Sequence, residues 1–182
     1  TDEDLKDFVY EAHKLGLKVM FDLVYFHCGP RAKLIDINKD FIKRLPDGTP
    51  DNGDWHFPKL NFDCPELCEY LWENMEYWVK NFDIDGYRCD VAGMVPTDFW
   101  DEVRPELDKI KPVFMLAEAS KADLTRNAFD ADYNWPMKDV FNAIAATQGA
   151  NTYAVEKRQA LPYRNALSID TLLKKQHCEY PK

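Results

Sequence analysis

The chain lacks any apolar stretch approaching the ~20 residues a membrane-spanning helix needs. It also lacks a basic excess: 23 Lys and Arg stand against 32 Asp and Glu, a formal net charge of -9. A polyphosphate backbone is bound through clustered cations, so a nucleic acid partner is not expected, and neither is a membrane. Its five cysteines form no CxxC pair and no zinc-finger spacing, so they read as free thiols, with Cys89 in the core. Thr1-Asp2-Glu3-Asp4 is too acidic for a secretory leader, and any targeting segment would lie outside this chain, so the sequence assigns no compartment. There is no internal repeat and no low-complexity tract.

What is present is a recurring unit of helix followed by buried strand. Leu5, Phe8, Val9, Ala12 and Leu15 share one helical face, with Thr1 as N-cap and Gly16 as the stop, and Leu17 to Val24 follows as a strand. The second unit starts from Asp63 as N-cap, with Pro65 in the first turn and Glu66 closing a capping box. Its helix carries Leu67, Leu71, Trp72, Met75, Trp78 and Val79 to about Phe82, and the strand Ile84 to Ala92 comes directly after. The third is capped by Thr97, is expected to kink or restart at Pro105, and leads into the strand Val113 to Glu118. Phe129 to Trp135 reads as a further short strand, and Met137 to Ala146 and Ser168 to Lys175 read as helices.

Such alternation predicts an α/β fold with a parallel sheet and helices outside it. At 182 residues a complete (β/α)₈ barrel, which takes ~250, does not fit, so a partial one is expected. One connection is long, Cys28 to Phe62, and it is dense in Pro, Gly, Asp and Asn. Trp55, His56 and Phe57 within it suit stacking on a ligand, and they suit equally a surface flap pinned by its own rings.

Two carboxylates close successive strands, Asp90 after Gly86-Tyr87-Arg88-Cys89 and Glu118 after Val113-Phe114-Met115-Leu116-Ala117. In a barrel the C-terminal tips of the strands open onto the catalytic face. A retaining glycosidase needs two carboxylates ~5 Å apart there, a spacing that adjacent tips supply. Arg88 shares a strand face with Asp90 and would keep it ionised, as a nucleophile requires. The apolar run before Glu118 would favour the protonated form that a general acid needs. His13 and His177 find no acidic partner in register and read as structural.

At these residues the chain resembles the α-amylase superfamily. Phe21-Asp22-Leu23-Val24-Tyr25-Phe26-His27, Gly86-Tyr87-Arg88-Cys89-Asp90 and Phe114-Met115-Leu116-Ala117-Glu118 are similar to its first three signature regions, in order, on strands three, four and five of the barrel. Lys59-Leu60-Asn61-Phe62-Asp63 is similar to the extra signature that closes its loop domain. The resemblance runs from residue 1 to about 145. It implies the central segment of a catalytic barrel over residues 1–182, from about helix two to helix six, with a reduced loop domain at 28–63.

The resemblance makes Asp90 the nucleophile, Glu118 the acid/base and Arg88 the group that positions Asp90. His27 would bind sugar at the cleavage subsite, Asp22 would organise that pocket, and Tyr25, Trp55 and His56 would add contacts to an α-glucan. Three departures stand out. Phe26 replaces the Asn that helps bind calcium in the family, so no calcium and no other cofactor is expected. Gly93-Met94 replaces a Lys-His pair that contacts the leaving-group side in many amylases. No His-Asp motif carrying the family's third acid follows Trp135, so this chain alone is expected to be inactive, with exposed sheet edges that invite a homodimer. A transglycosylase of the same family, or a barrel relative used for assembly, are the rival readings.

Overall fold

The computed structural model describes residues 1–147 and Lys174, so the helix expected at Ser168 to Lys175, together with His177 and Cys178, lies outside the described residues. The chain divides into two compact units, Thr1–Asp132 and Tyr133–Lys182, and the 28–63 connection belongs to the first.

In the first unit, α1 (Asp2–Lys14) opens on a capping box between Thr1 and Asp4. Its chain turns off at Gly16, where φ is +76°. Val9 and Ala12 are buried, but Phe8 and Leu15 are 60% and 77% exposed, so the buried stripe is narrower than the periodicity suggests. Strand β1 (Met20–Leu23) follows, and then the long connection with α2 (Leu34–Ile37) and isolated antiparallel bridges Ile42↔Leu60 and Arg44↔Pro50. Phe41, Ile42 and Leu60 are buried, which anchors that connection to the core.

Helix α3 (Pro65–Phe82) buries Leu67, Leu71, Met75, Val79 and Phe82. Its N-cap is Cys64 and no side chain caps it, a correction to the Asp63 and Glu66 box; the Glu66 carboxylate instead accepts from Cys64 Sγ at 3.2 Å. Helix α4 (Thr97–Ile110) is preceded by Pro96 rather than capped by Thr97, and it continues through Pro105 as one element. Trp100, Val103 and Leu107, all buried, hold it on both sides of the proline, so packing offsets the missing N–H. Strands β2 (Gly86–Cys89), β3 (Phe114–Ala117) and β4 (Ala131–Asp132) complete a parallel sheet in the order β1-β2-β3-β4.

The strands are shorter than the apolar runs that announce them, because Ile84 and Ala92 are buried without belonging to the ladder. Alternation along β2 sends Tyr87 and Cys89 into the helix-covered core, where the Tyr87 hydroxyl donates to Met75 O at 2.6 Å. Arg88 then points to the other face. In the second unit, α5 (Trp135–Thr147) begins where Asn134 Oδ1 accepts from the Met137 N–H at 3.1 Å. None of the described helices is long and apolar enough to cross a membrane.

Candidate active site

The register sets the site. Asp22 pairs with Arg88, and Cys89 pairs with Ala117, so Asp90 and Glu118 are each the first residue past level strand ends. Their amides extend the ladder by one step, Asp90 N–H to Leu23 O at 2.8 Å and Glu118 N–H to Cys89 O at 3.0 Å. Both carboxylates are thereby fixed at the backbone.

Arg88 gathers the acids. Its Nη1 lies 2.7 Å from Asp90 Oδ1 and 2.8 Å from Asp22 Oδ1, and its Nη2 lies 2.7 Å from Glu118 Oε2. A guanidinium is a rigid fork and suits this bridging role, which a point charge on a flexible stem does not. Asp90 and Glu118 are about one-quarter exposed, open to a ligand from one side. Glu118 Oε2 also accepts from the Val91 N–H at 3.0 Å. Glu118 therefore meets two hydrogen-bond donors where its sequence suggested only an apolar wall. Val91 could not be found from residue type or spacing: its φ of +40° is rare for a β-branched side chain.

His27, Trp55 and Phe57 form a second cluster. The His27 ring stacks on Phe57 with centroids 5.4 Å apart and meets Trp55 at 5.5 Å. With Asn52, Asp54, Lys59 and Met94 they line a cavity of about 130 Å³. The buried His27 Nδ1 has no hydrogen-bond partner among the described residues. Met94, one of the departures noted in the sequence, joins this cavity from the turn that follows Asp90. His56 is exposed, with φ of +59°, and is not among the lining residues.

Tyr25 is corrected. It is 7% exposed, and its hydroxyl donates to Asn74 Oδ1 at 2.7 Å while its ring stacks on Trp100. Those contacts spend it on packing β1 against the helices. For His13 only the expected lack of an acidic partner is corrected, since its Nε2 lies 2.7 Å from Asp85 Oδ2. Cys89 is fully buried, and burial pushes its thiol well up, as suits a core residue. At position 26 the phenyl ring packs edge-on against His27 and Trp55 and offers a cation no oxygen.

A family model described as the α-amylase catalytic domain matches residues 51–168. The maltogenic α-amylase of Bacillus acidopullulyticus is 35% identical over 173 residues, spanning 83% of this chain and 30% of that protein. The cyclomaltodextrinase of Geobacillus thermopakistaniensis is 33% identical and is matched over 27% of its length by 75% of this chain. The chain thus spans less than a third of these relatives. Among solved structures, an α-amylase from Lactobacillus plantarum superposes with a TM-score of 0.78 at 32% identity, over 98% of this chain and 43% of that one. A maltogenic α-amylase from Thermotoga neapolitana gives 0.77 at 30% identity, over 100% and 40%.

Proposed function

The chain belongs to the α-amylase catalytic-domain family, its parallel sheet being part of that family's (β/α)₈ barrel, and from that membership we propose that it carries the acids of an enzyme hydrolysing α-glucosidic bonds with retention. The substrates are starch-like α-glucans or maltooligosaccharides, the class to which the names of its maltogenic and cyclomaltodextrin-cleaving relatives point. Asp90 attacks the anomeric carbon while Glu118 protonates the departing glycosidic oxygen, which leaves a glycosyl ester on Asp90. Glu118 then takes a proton from water, and the hydroxide so formed opens the ester. Asp22 and Arg88 hold Asp90 in place, and His27 and Trp55 offer a sugar a polar edge and a ring face.

One observation carries this reading: a single guanidinium spans Asp90 and Glu118 at 2.7 Å each. Two carboxylates on the two ends of one fork suit the ~5 Å separation of retaining enzymes better than the ~6.5–9.5 Å of inverting ones.

Proton NMR of the first product released by the intact enzyme that carries this chain tests the reading. The α-anomer is expected, and the β-anomer overturns it. Glu118→Gln should cut kcat by roughly a hundredfold or more, and full activity in that variant removes Glu118 from the mechanism.

A further inference from the structure

We propose that the backbone N–H of Val91 is a positioning group for Glu118, and that it fixes which carboxylate oxygen carries the transferred proton. The inference rests on the assignment of Glu118 as acid/base and deepens it. It begins in the ladder. Parallel pairing with Cys89 opposite Ala117 sends the Cys89 carbonyl to the Glu118 N–H, as observed at 3.0 Å. One step further, the same pattern would send the Val91 N–H to the backbone carbonyl of Glu118. In the structure that N–H is donated to the Glu118 side chain instead, to Oε2 at 3.0 Å.

The backbone departure that accompanies this exchange is uncommon. Val91 adopts φ +40° and ψ +41°, a left-handed conformation that a β-branched residue disfavours. Such a conformation persists only where the surroundings enforce it, and here they do. The Met94 N–H closes the turn onto Val91 O at 2.8 Å. The buried Trp100 donates its indole N–H to Ala92 O at 3.2 Å, and Ala92 is itself fully buried. At Gly93 a Cβ would lie 3.3 Å from the Cβ of Ala119, so the turn presses against the residue after Glu118. The whole βα-turn is thus shaped around the carboxylate.

The chemical result is an asymmetry between the two oxygens. Oε2 accepts from both Arg88 Nη2 at 2.7 Å and the Val91 N–H at 3.0 Å. An oxygen that already accepts two donors is a poor place for a proton, so the proton resides on Oε1. The glycosidic oxygen is therefore served by Oε1, and the aim of that oxygen follows from the Val91 amide. No property of the valine side chain enters this step.

The test exchanges only the amide. In the intact enzyme, Val91 is replaced by its α-hydroxy acid counterpart, which keeps the side chain and puts an ester oxygen where the N–H was. Loss of one hydrogen bond to a charged group should lower kcat roughly ten- to hundredfold, with KM within about twofold. The alkaline limb of the kcat profile should move to higher pH, since a donor to the carboxylate form is gone while Arg88, Asp90 and Asp22 stay in place. An unchanged kcat with a superimposable profile overturns the proposal. If the ester enzyme does not fold, Trp100→Phe carries the test by removing the indole N–H that holds Ala92. A kcat-only loss with the same limb movement supports the proposal, and a lowered melting temperature with an unmoved profile overturns it. Glu118→Gln assayed alongside separates the two levels: full activity there defeats the acid/base assignment, whereas an inactive Glu118→Gln beside a normal ester enzyme defeats only the role of Val91.

Discussion

His13 Nε2 lies 2.7 Å from Asp85 Oδ2, tying the end of α1 to the residue that leads into β2. Asp85 is 8% exposed and also receives Lys18 Nζ at 3.0 Å, Lys111 Nζ at 3.0 Å and the Val19 N–H at 2.9 Å. Four residues from three segments of chain thus converge on one carboxylate at the end of the sheet opposite to Asp90 and Glu118.

Burial alone would raise the Asp85 carboxyl, but the Val19 amide, His13, Lys18 and Lys111 outweigh it and hold the group far below the usual carboxylate range. Its folded value is below its unfolded one, so its contribution to stability is present above about pH 4 and is lost as the pH falls below that. Asp85→Asn should cost about 3 kcal/mol at neutral pH and leave a stability curve that falls less steeply into acid. Urea unfolding at pH 7 and at pH 3 checks this. Equal midpoints for the two proteins at pH 7 would show that the cluster contributes nothing.

Arg88→Lys keeps the charge and removes the fork. A single ammonium cannot reach Asp22, Asp90 and Glu118 with the fixed geometry of a guanidinium. The expected loss in the intact enzyme is about 1.5–3 kcal/mol of transition-state stabilisation, read as a fall in kcat/KM of roughly tenfold or more. Wild-type kinetics in the lysine variant would mean that the bridging seen here is incidental to turnover.

Gly86→Ala should fail at the sheet. A Cβ at position 86 would sit 2.1 Å from Phe114 O, and backbone cannot swing aside as a side chain could. Destabilisation of about 3 kcal/mol is expected from forced separation of β2 and β3. A melting curve reports it directly, and an unchanged midpoint would contradict the close approach of these strands.

How much of this was legible in the sequence depended on how local the cause was. The three helix–strand units and the faces of α3 and α4 follow from spacing alone, because Leu67, Leu71 and Met75 repeat at helical intervals. Asp90 and Glu118 could be placed at strand tips because an apolar run ends at each. Strand limits were less legible, since hydrophobicity reports burial, which Ile84 and Ala92 share with the ladder residues. Caps were displaced by one residue at Cys64 and Pro96 because the start of a helix is set by where the incoming chain turns. The partner of His13 lies 72 residues away, beyond any local pattern. Tyr25 shares a motif with His27, yet alternation from Leu23, which is also buried, sends its ring into the core. The left-handed turn at Val91 contradicts the preference of its own side chain, and only the packing of Trp100 and Ala92 reveals it.

The cluster of Asp22, Asp90 and Glu118 on Arg88 also works at a distance. Even with Glu118 holding the proton that its proposed role requires, Asp22 and Asp90 outnumber the one guanidinium they share, so the strand tips carry surplus negative potential on a chain already at -9. That potential extends about 8 Å at physiological salt. Uronic or sulfated polysaccharides are therefore expected to be poor ligands for such a site, and a sugar ring gaining positive character, or an amine that imitates it, a better one than its neutral counterpart.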